Sequence, residues 1–464
     1  MGNIKSNSIM GSKVCLPTPG VQSFLPRQKT PPFPKKVIQN DDVTAPSIIK
    51  QFKGVDYNGW FPPDTMGAVG LNHVVNVVNG GISINQKEDG AVLTTTTLDD
   101  FWTPTGVITE GTFAFDPKIL YDNLSNRFFI ISLAGESSPN SWLLVGVSNP
   151  EDPFNWVFRA IDADIFNNMQ LDTWADYPSL GLDNTHVYVT ANMFNNEGSY
   201  QATKIWVFEK SQLYSMDSMT WYEFYEPPGA FFTTQPTQVF DPNVSVQYLI
   251  SLASLDSLQL NQISFSNGIP FWTQLQQINI ASLSGSVIPG ALQKDSPQLI
   301  DTGDTRLLQA IYRNETIWTT HTVPSQDGSR AEVSWYQIDP EISTPIQQGR
   351  VQHSTHSYYY PSLAVNSSNH MVIGFSGSST DLFASAFFTG RRASDAPGTT
   401  EQVTLLQAGQ ATYFLTDGMG RNRWGDYSAT CIDPSNDQEF WTVQEYVVSQ
   451  DFWGTWWGVV KFLE

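Results

Sequence analysis

The chain has 464 residues and a formal charge of −21, from 45 acidic and 24 basic side chains, with 13% aromatic and only 15% charged residues. So acidic a chain, without a long basic stripe, is a poor match for a phosphate backbone, and nucleic acid is excluded as an expected partner. No run of about 18 apolar residues occurs, so no transmembrane helix is expected, and abundant Gly, Asn, Ser and Thr without long Glu/Lys/Leu-rich runs favour an all-β fold with many tight turns.

Residues 1–44 read as a flexible leader that ends in the Pro-rich KTPPFPKK. They lack the apolar core of a secretory signal peptide, although low Lys content and many aromatics favour an extracellular or surface location. Gly2 and Ser6 match M-G-x-x-x-[ST], the pattern for N-myristoylation at Gly2, and one acyl chain would anchor only weakly. Cys15 and Cys431 are the two cysteines, and no structural disulfide is expected.

From residue 45 onward one phrase recurs: a Pro, a small or polar residue, a few mostly apolar positions, and an Asp or Asn five residues after the Pro. Pro117 with Asp122, Pro178 with Asp183, Pro236 with Asp241 and Pro361 with Asn366 carry it, and Pro297 opens a copy in which Asp301 arrives one place early. Degenerate copies bracket these, with Thr65 and Ser428 in place of Pro. Successive intervals from Thr65 to Ser428 are 52, 61, 58, 61, 64 and 67 residues, and each unit holds three or four strand-like runs. Such a period predicts propeller blades. Within each unit the Pro suits the start of a strand, and the Asp or Asn can bond its own backbone two residues on.

The unit from Pro178 shows the plan: PSLGL, HVYVTANMF, TKIWVFEK and TWYEFYE as four strands from the inside outward. The last unit yields only SATCID, EFWTVQEYV and TWWGVVKFL, so APSIIKQFKG at 45–54 is expected to supply its missing outer strand. The fold expected is therefore all-β: a single seven-bladed β-propeller of four-stranded blades over 45–464, its ring closed by an N-terminal strand that completes the last blade and removes the open edges.

Propellers take ligands at the channel mouth, where the chain enters each inner strand. The residues just before each Pro position are Asp64, Asp116, Asp176 with Tyr177, Gln235, Asp295 with Ser296, Tyr359 with Tyr360, and Asp426 with Tyr427. A ring of carboxylates and tyrosines could hold Ca²⁺, for which Asp176 and Asp426 are the candidate ligands, or hydrogen-bond and stack against a sugar. Equally, each Asp could bond the amides at its own strand start. In RNRWGDYSAT, Arg423, Trp424, Asp426 and Tyr427 cluster, and Arg423 could pair with a neighbouring Asp or bind a substrate carboxylate. His353 and His356, on a segment read as extended, would face opposite ways, which argues against a metal pair.

Segments such as PPDTMGAVGLNHVVNVVN, WADYPSLGLDNTHVYVTANMF and RWGDYSATCIDPSNDQEFWTVQEY resemble the recurrent segments of a family of uncharacterised bacterial-type β-propeller proteins, sialidase-like in fold description only. The resemblance spans about residues 55–464 and implies a propeller without a particular activity. The S-x-D-x-G-x-x-W boxes of sialidases are absent. The leading expectation is a non-enzymatic binding propeller that recognises a glycan or protein partner. The alternative is a glycoside hydrolase drawing on Asp176, Asp295 and Asp426, with Arg423 and Tyr427 in support.

Overall fold

A computed structural model of the chain describes residues 45–229 and 231–463. The leader, with Gly2 and Cys15, lies outside the described residues, while Cys431 is a free thiol that burial pushes up to about 12.

Strand dominates, with two short helices at Leu98–Trp102 and Lys210–Leu213. Each strand group is an antiparallel meander. Met66–Val69, His73–Val78, Gly81–Gln86 and Val92–Thr96 form one sheet, and Ala114–Asp122, Arg127–Ser137, Asn140–Asn149 and Asp152–Asp162 the next. The unit used above as the plan is realised as Thr173–Leu182, His186–Asn195, Tyr200–Glu209 and Trp221–Glu226, hydrogen-bonded in that order.

The Pro178 copy explains why its strands turn where they do. Asp183 Oδ1 accepts from Thr185 N–H at 2.7 Å, two residues on. Asp122 does the same to Leu124 (3.2 Å), Asn366 to Ser368 (3.0 Å) and Asp433 to Ser435 (2.7 Å). A side chain that satisfies the first amide of the turn fixes where the inner strand ends and the hairpin begins.

Inner strands pack side by side in chain order, and Ala429–Ile432 packs against both Ser357–Val365 and Met66–Val69. Antiparallel meanders set radially about one axis make this fold a β-propeller. Near the axis, Gln238–Val239 pairs in parallel with Leu182 on one side and with Ile311 and Tyr312 on the other, joining two meanders into a nine-stranded sheet. The expected terminal strand is present: Ser47–Asp56 pairs antiparallel with Phe452–Lys461, from Ser47 opposite Lys461 to Asp56 opposite Gly454. Phe52 seats this strand, its ring 6.2 Å from that of Trp441 and 6.3 Å from that of Trp457.

One repeat is placed differently from the expectation. Ser296–Ile300, read as an inner strand, instead pairs with Ala291–Gln293 in a separate two-stranded hairpin, and the inner strand is Gln309–Arg313. Burial decides between them. Residues 297–299 are exposed, whereas Ala310 to Arg313 are buried β-formers that pair with Thr316–Pro324.

Candidate functional site at the channel mouth

Within or just ahead of several inner strands the backbone turns left-handed at a residue other than glycine: Asp64 (φ 48°), Asp116 (φ 51°), Tyr177 (φ 52°) and Tyr360 (φ 51°). Three of these sit at register shifts, between Phe115 and Lys118, Asp176 and Ser179, and Tyr359 and Ser362. A bulge at the repeated Pro thus breaks the ladder and re-aims the side chains around it. Such a backbone costs about 1–3 kcal/mol per residue and needs compensation. Asp116 N–H donates to Asn79 Oδ1 at 2.9 Å, Tyr177 N–H to Asp116 Oδ2 at 3.1 Å, and Tyr360 N–H to Thr322 Oγ1 at 3.0 Å. In each case the acceptor comes from the preceding sheet.

These contacts gather a buried floor. Asn79 Nδ2 donates to Asp64 Oδ2 at 2.7 Å, and Glu445 Oε1 accepts from Thr65 Oγ1 at 2.8 Å. Tyr177 and Tyr427 meet edge to face at 5.8 Å; Tyr177 OH donates to the Asp426 carbonyl and Tyr427 OH to the Pro117 carbonyl, both at 3.2 Å. Lys118 is buried beside them, its Nζ 2.9 Å from the centroid of the Tyr427 ring.

The rim is more open. Arg423 Nη2 lies 2.7 Å from Asp426 Oδ1, and the Asp426 side chain keeps 27% of its exposure. Arg306, just ahead of Gln309–Arg313, forks onto Asp304 with contacts of 2.8 and 2.6 Å and lies 4.1 Å from the Tyr177 ring. Asp176 is half-buried.

Burial sets the protonation of the floor. Desolvation, the Asp426 charge and Glu445 push Asp64 up to about 8 against the pull of Arg423. Desolvation and then Asp176, Asp64 and Asp426 hold Asp116 well above the carboxylate range, and desolvation does the same to Glu445. Asp176 is raised to about 6 by desolvation, moderated by Arg306. The floor is therefore a set of largely protonated carboxyls, which donate as well as accept, under a rim of ion pairs.

Four buried polar atoms here have no hydrogen-bond partner: Asp64 Oδ1, Tyr360 OH, Arg423 Nε and Glu445 Oε2. Below them runs a narrow channel, lined on its polar side by Lys118, Ser179, Gln235, Gln309, Ser428 and Thr430.

Of the residues singled out in the sequence, Asp64, Asp116, Asp176, Tyr177, Tyr360, Arg423, Asp426 and Tyr427 come together. Asp295 does not. It occupies the exposed turn of the hairpin formed by Ala291–Gln293 and Ser296–Ile300, and Arg306 stands at the mouth instead. Trp424 is fully enclosed, donating from Nε1 to Ser376 Oγ at 3.0 Å and meeting Tyr413 edge to face, so it serves packing. His353 and His356, expected on opposite faces, stack at 4.0 Å in a bend. Among the described residues no group of three or more His, Cys, Asp or Glu side chains is placed to hold a metal ion. Sequence reasoning missed Asn79, Lys118, Arg306 and Glu445. Their only signal is proximity: Lys118 follows a repeat Pro, and Asn79 ends a second strand.

No family model and no curated protein matches the chain. Among solved structures it is similar to the phage phi92 endosialidase, at 9% identity over 75% of this chain and 67% of that one (TM-score 0.46). A hypothetical selenium-binding protein from Sulfolobus tokodaii is matched at 10% identity over 77% and 87% (TM-score 0.47), and the Dos1 propeller at 8% over 83% and 75% (TM-score 0.39). The fold assignment rests on the sheets themselves. No described helix is long and apolar enough to cross a membrane.

Proposed function

We propose that the chain is a seven-bladed β-propeller, closed where Ser47–Asp56 completes the last blade, and that it is a binding protein that takes a glycan at the channel mouth. The observation that supports this most is the convergence of Asp64 Oδ1, Tyr360 OH, Arg423 Nε and Glu445 Oε2, buried and unpartnered. Each such group costs roughly 1–3 kcal/mol while unsatisfied, and a ligand that satisfies several of them recovers that cost. Together they supply both donors and acceptors, the complement of hydroxyl groups, which both give and accept. Tyr177 and Tyr427 add aromatic edges.

The hydrolase reading is less well supported. Asp295, one of its three carboxylates, stands in an exposed turn away from Asp176 and Asp426.

The test is a glycan array followed by calorimetric titration of the best binder against wild type, Asp64→Asn and Arg423→Met, with melting curves to establish that both variants fold. Loss of affinity on the order of tenfold in each is expected. Undiminished binding in both would move the ligand site to the outer loops. A blank array with a protein cross-linked at the mouth would replace the glycan by a protein partner.

A further inference from the structure

Among the described residues, four lysines are largely withdrawn from solvent, and three of them are paired. Lys210 Nζ lies 2.7 Å from Asp122 Oδ2, Lys87 Nζ 2.7 Å from Asp433 Oδ1, and Lys204 Nζ donates to the Ala163 carbonyl at 3.1 Å with Glu223 at 3.4 Å. Lys118 is the exception. Among the described residues its amine has no hydrogen bond and no carboxylate within ion-pair distance; it rests over Tyr427, with the Tyr177 ring centroid 5.5 Å away. A purely structural buried lysine needs a partner, because an isolated ammonium is expensive to desolvate.

We infer that Lys118 is a reactive amine that captures a small aldehyde from the channel as a Schiff base. The inference rests on the mouth and channel being the ligand site.

Burial pulls the Lys118 amine down to about 7, against the pull of Asp116, Asp64 and Asp426 and with help from Arg306. A large share of it is thus neutral near pH 7, whereas an ordinary surface lysine has on the order of one molecule in a thousand neutral there. A desolvated lysine is the form that adds to carbonyls. The amine attacks the aldehyde carbon, and its proton passes to the carbonyl oxygen to give a carbinolamine. The hydroxyl then leaves as water, taking a proton from the Asp116 carboxylic acid, and the nitrogen lone pair forms the C=N bond of a protonated imine. No oxidant or reductant is consumed. Asp116 suits this step because it lies two positions from Lys118 on the same strand, Ala114–Asp122, and burial keeps it protonated.

Propanal with cyanoborohydride at pH 7, followed by peptide mapping, tests this on the whole protein, since hydride reduction makes the imine permanent. The expected result is a three-carbon adduct on Lys118 at least tenfold ahead of exposed Lys53. Lys118→Met should abolish that adduct while keeping the melting curve, and Asp116→Asn should slow it on the order of tenfold or more. An unmodified Lys118 beside a modified Lys53 would overturn the inference. So would an unchanged rate in Asp116→Asn for the assigned proton donor. If glycan binding survives while Lys118 stays inert, the amine chemistry alone fails; if both are absent, the mouth itself is not the ligand site.

Discussion

The main-chain N–H of Tyr177 donates to Asp116 Oδ2 over 3.1 Å, so the left-handed residue within one inner strand is held by a carboxyl from the inner strand of the preceding sheet. The same carboxyl is the proton donor assigned to Lys118, which makes its two roles separable. Asp116→Asn retains an acceptor for Tyr177, while Asp116→Ala leaves a buried amide unpaired. Urea unfolding should show Asp116→Ala less stable than Asp116→Asn by about 1–3 kcal/mol. Equal stabilities would mean that the bulge at Tyr177 does not depend on this bond.

Asp64 carries the clearest pH dependence. Its carboxyl is raised from 3.8 to about 8 by burial and by Asp426 and Glu445. Between those values the folded chain binds a proton that the unfolded chain has released, so the contribution to stability is present below about pH 4 and is lost as pH rises through about 8. Melting temperatures of Asp64→Asn should therefore fall less than those of wild type across that window. Parallel curves would show that Asp64 is ionised in the folded protein.

Lys210 and Asp122, both buried, join two sheets at 2.7 Å. Asp122→Ala strands an ammonium in the interior and removes the acceptor of the Leu124 amide, and is expected to cost about 3–5 kcal/mol. Lys210→Met leaves a carboxylate still held by the Leu124 amide and the Ser125 hydroxyl, so it should cost less. Chemical denaturation of the two variants side by side gives the order, and the reverse order would contradict this account.

Phe52 anchors the first described strand on Trp441 and Trp457. Truncating a half-buried aromatic at such a seam should cost about 2–4 kcal/mol. In Phe52→Ala, amide exchange should quicken along Phe452–Lys461 before it does along Tyr200–Glu209. Uniform quickening would show that the terminal strand is not a separate unit of stability.

The sequence by itself determined the all-β class, the strand order of the unit from Pro178 and the terminal strand on the last sheet. These follow from local chemistry: alternating β-formers, a Pro that tolerates a missing ladder bond, and an Asp or Asn that bonds the amide two residues on, as Asp183 does to Thr185. Only the tertiary structure decided which of two Pro- or Asp-marked runs becomes an inner strand. Ser296–Ile300 and Gln309–Arg313 both satisfy local rules, and burial against neighbouring sheets separates them. That choice removed Asp295 from the mouth and brought in Arg306. The bulges at Asp116, Tyr177 and Tyr360, and the meeting of Lys118 with Tyr427, 309 positions apart in the chain, were likewise invisible, because no spacing within one repeat encodes a contact made around the axis.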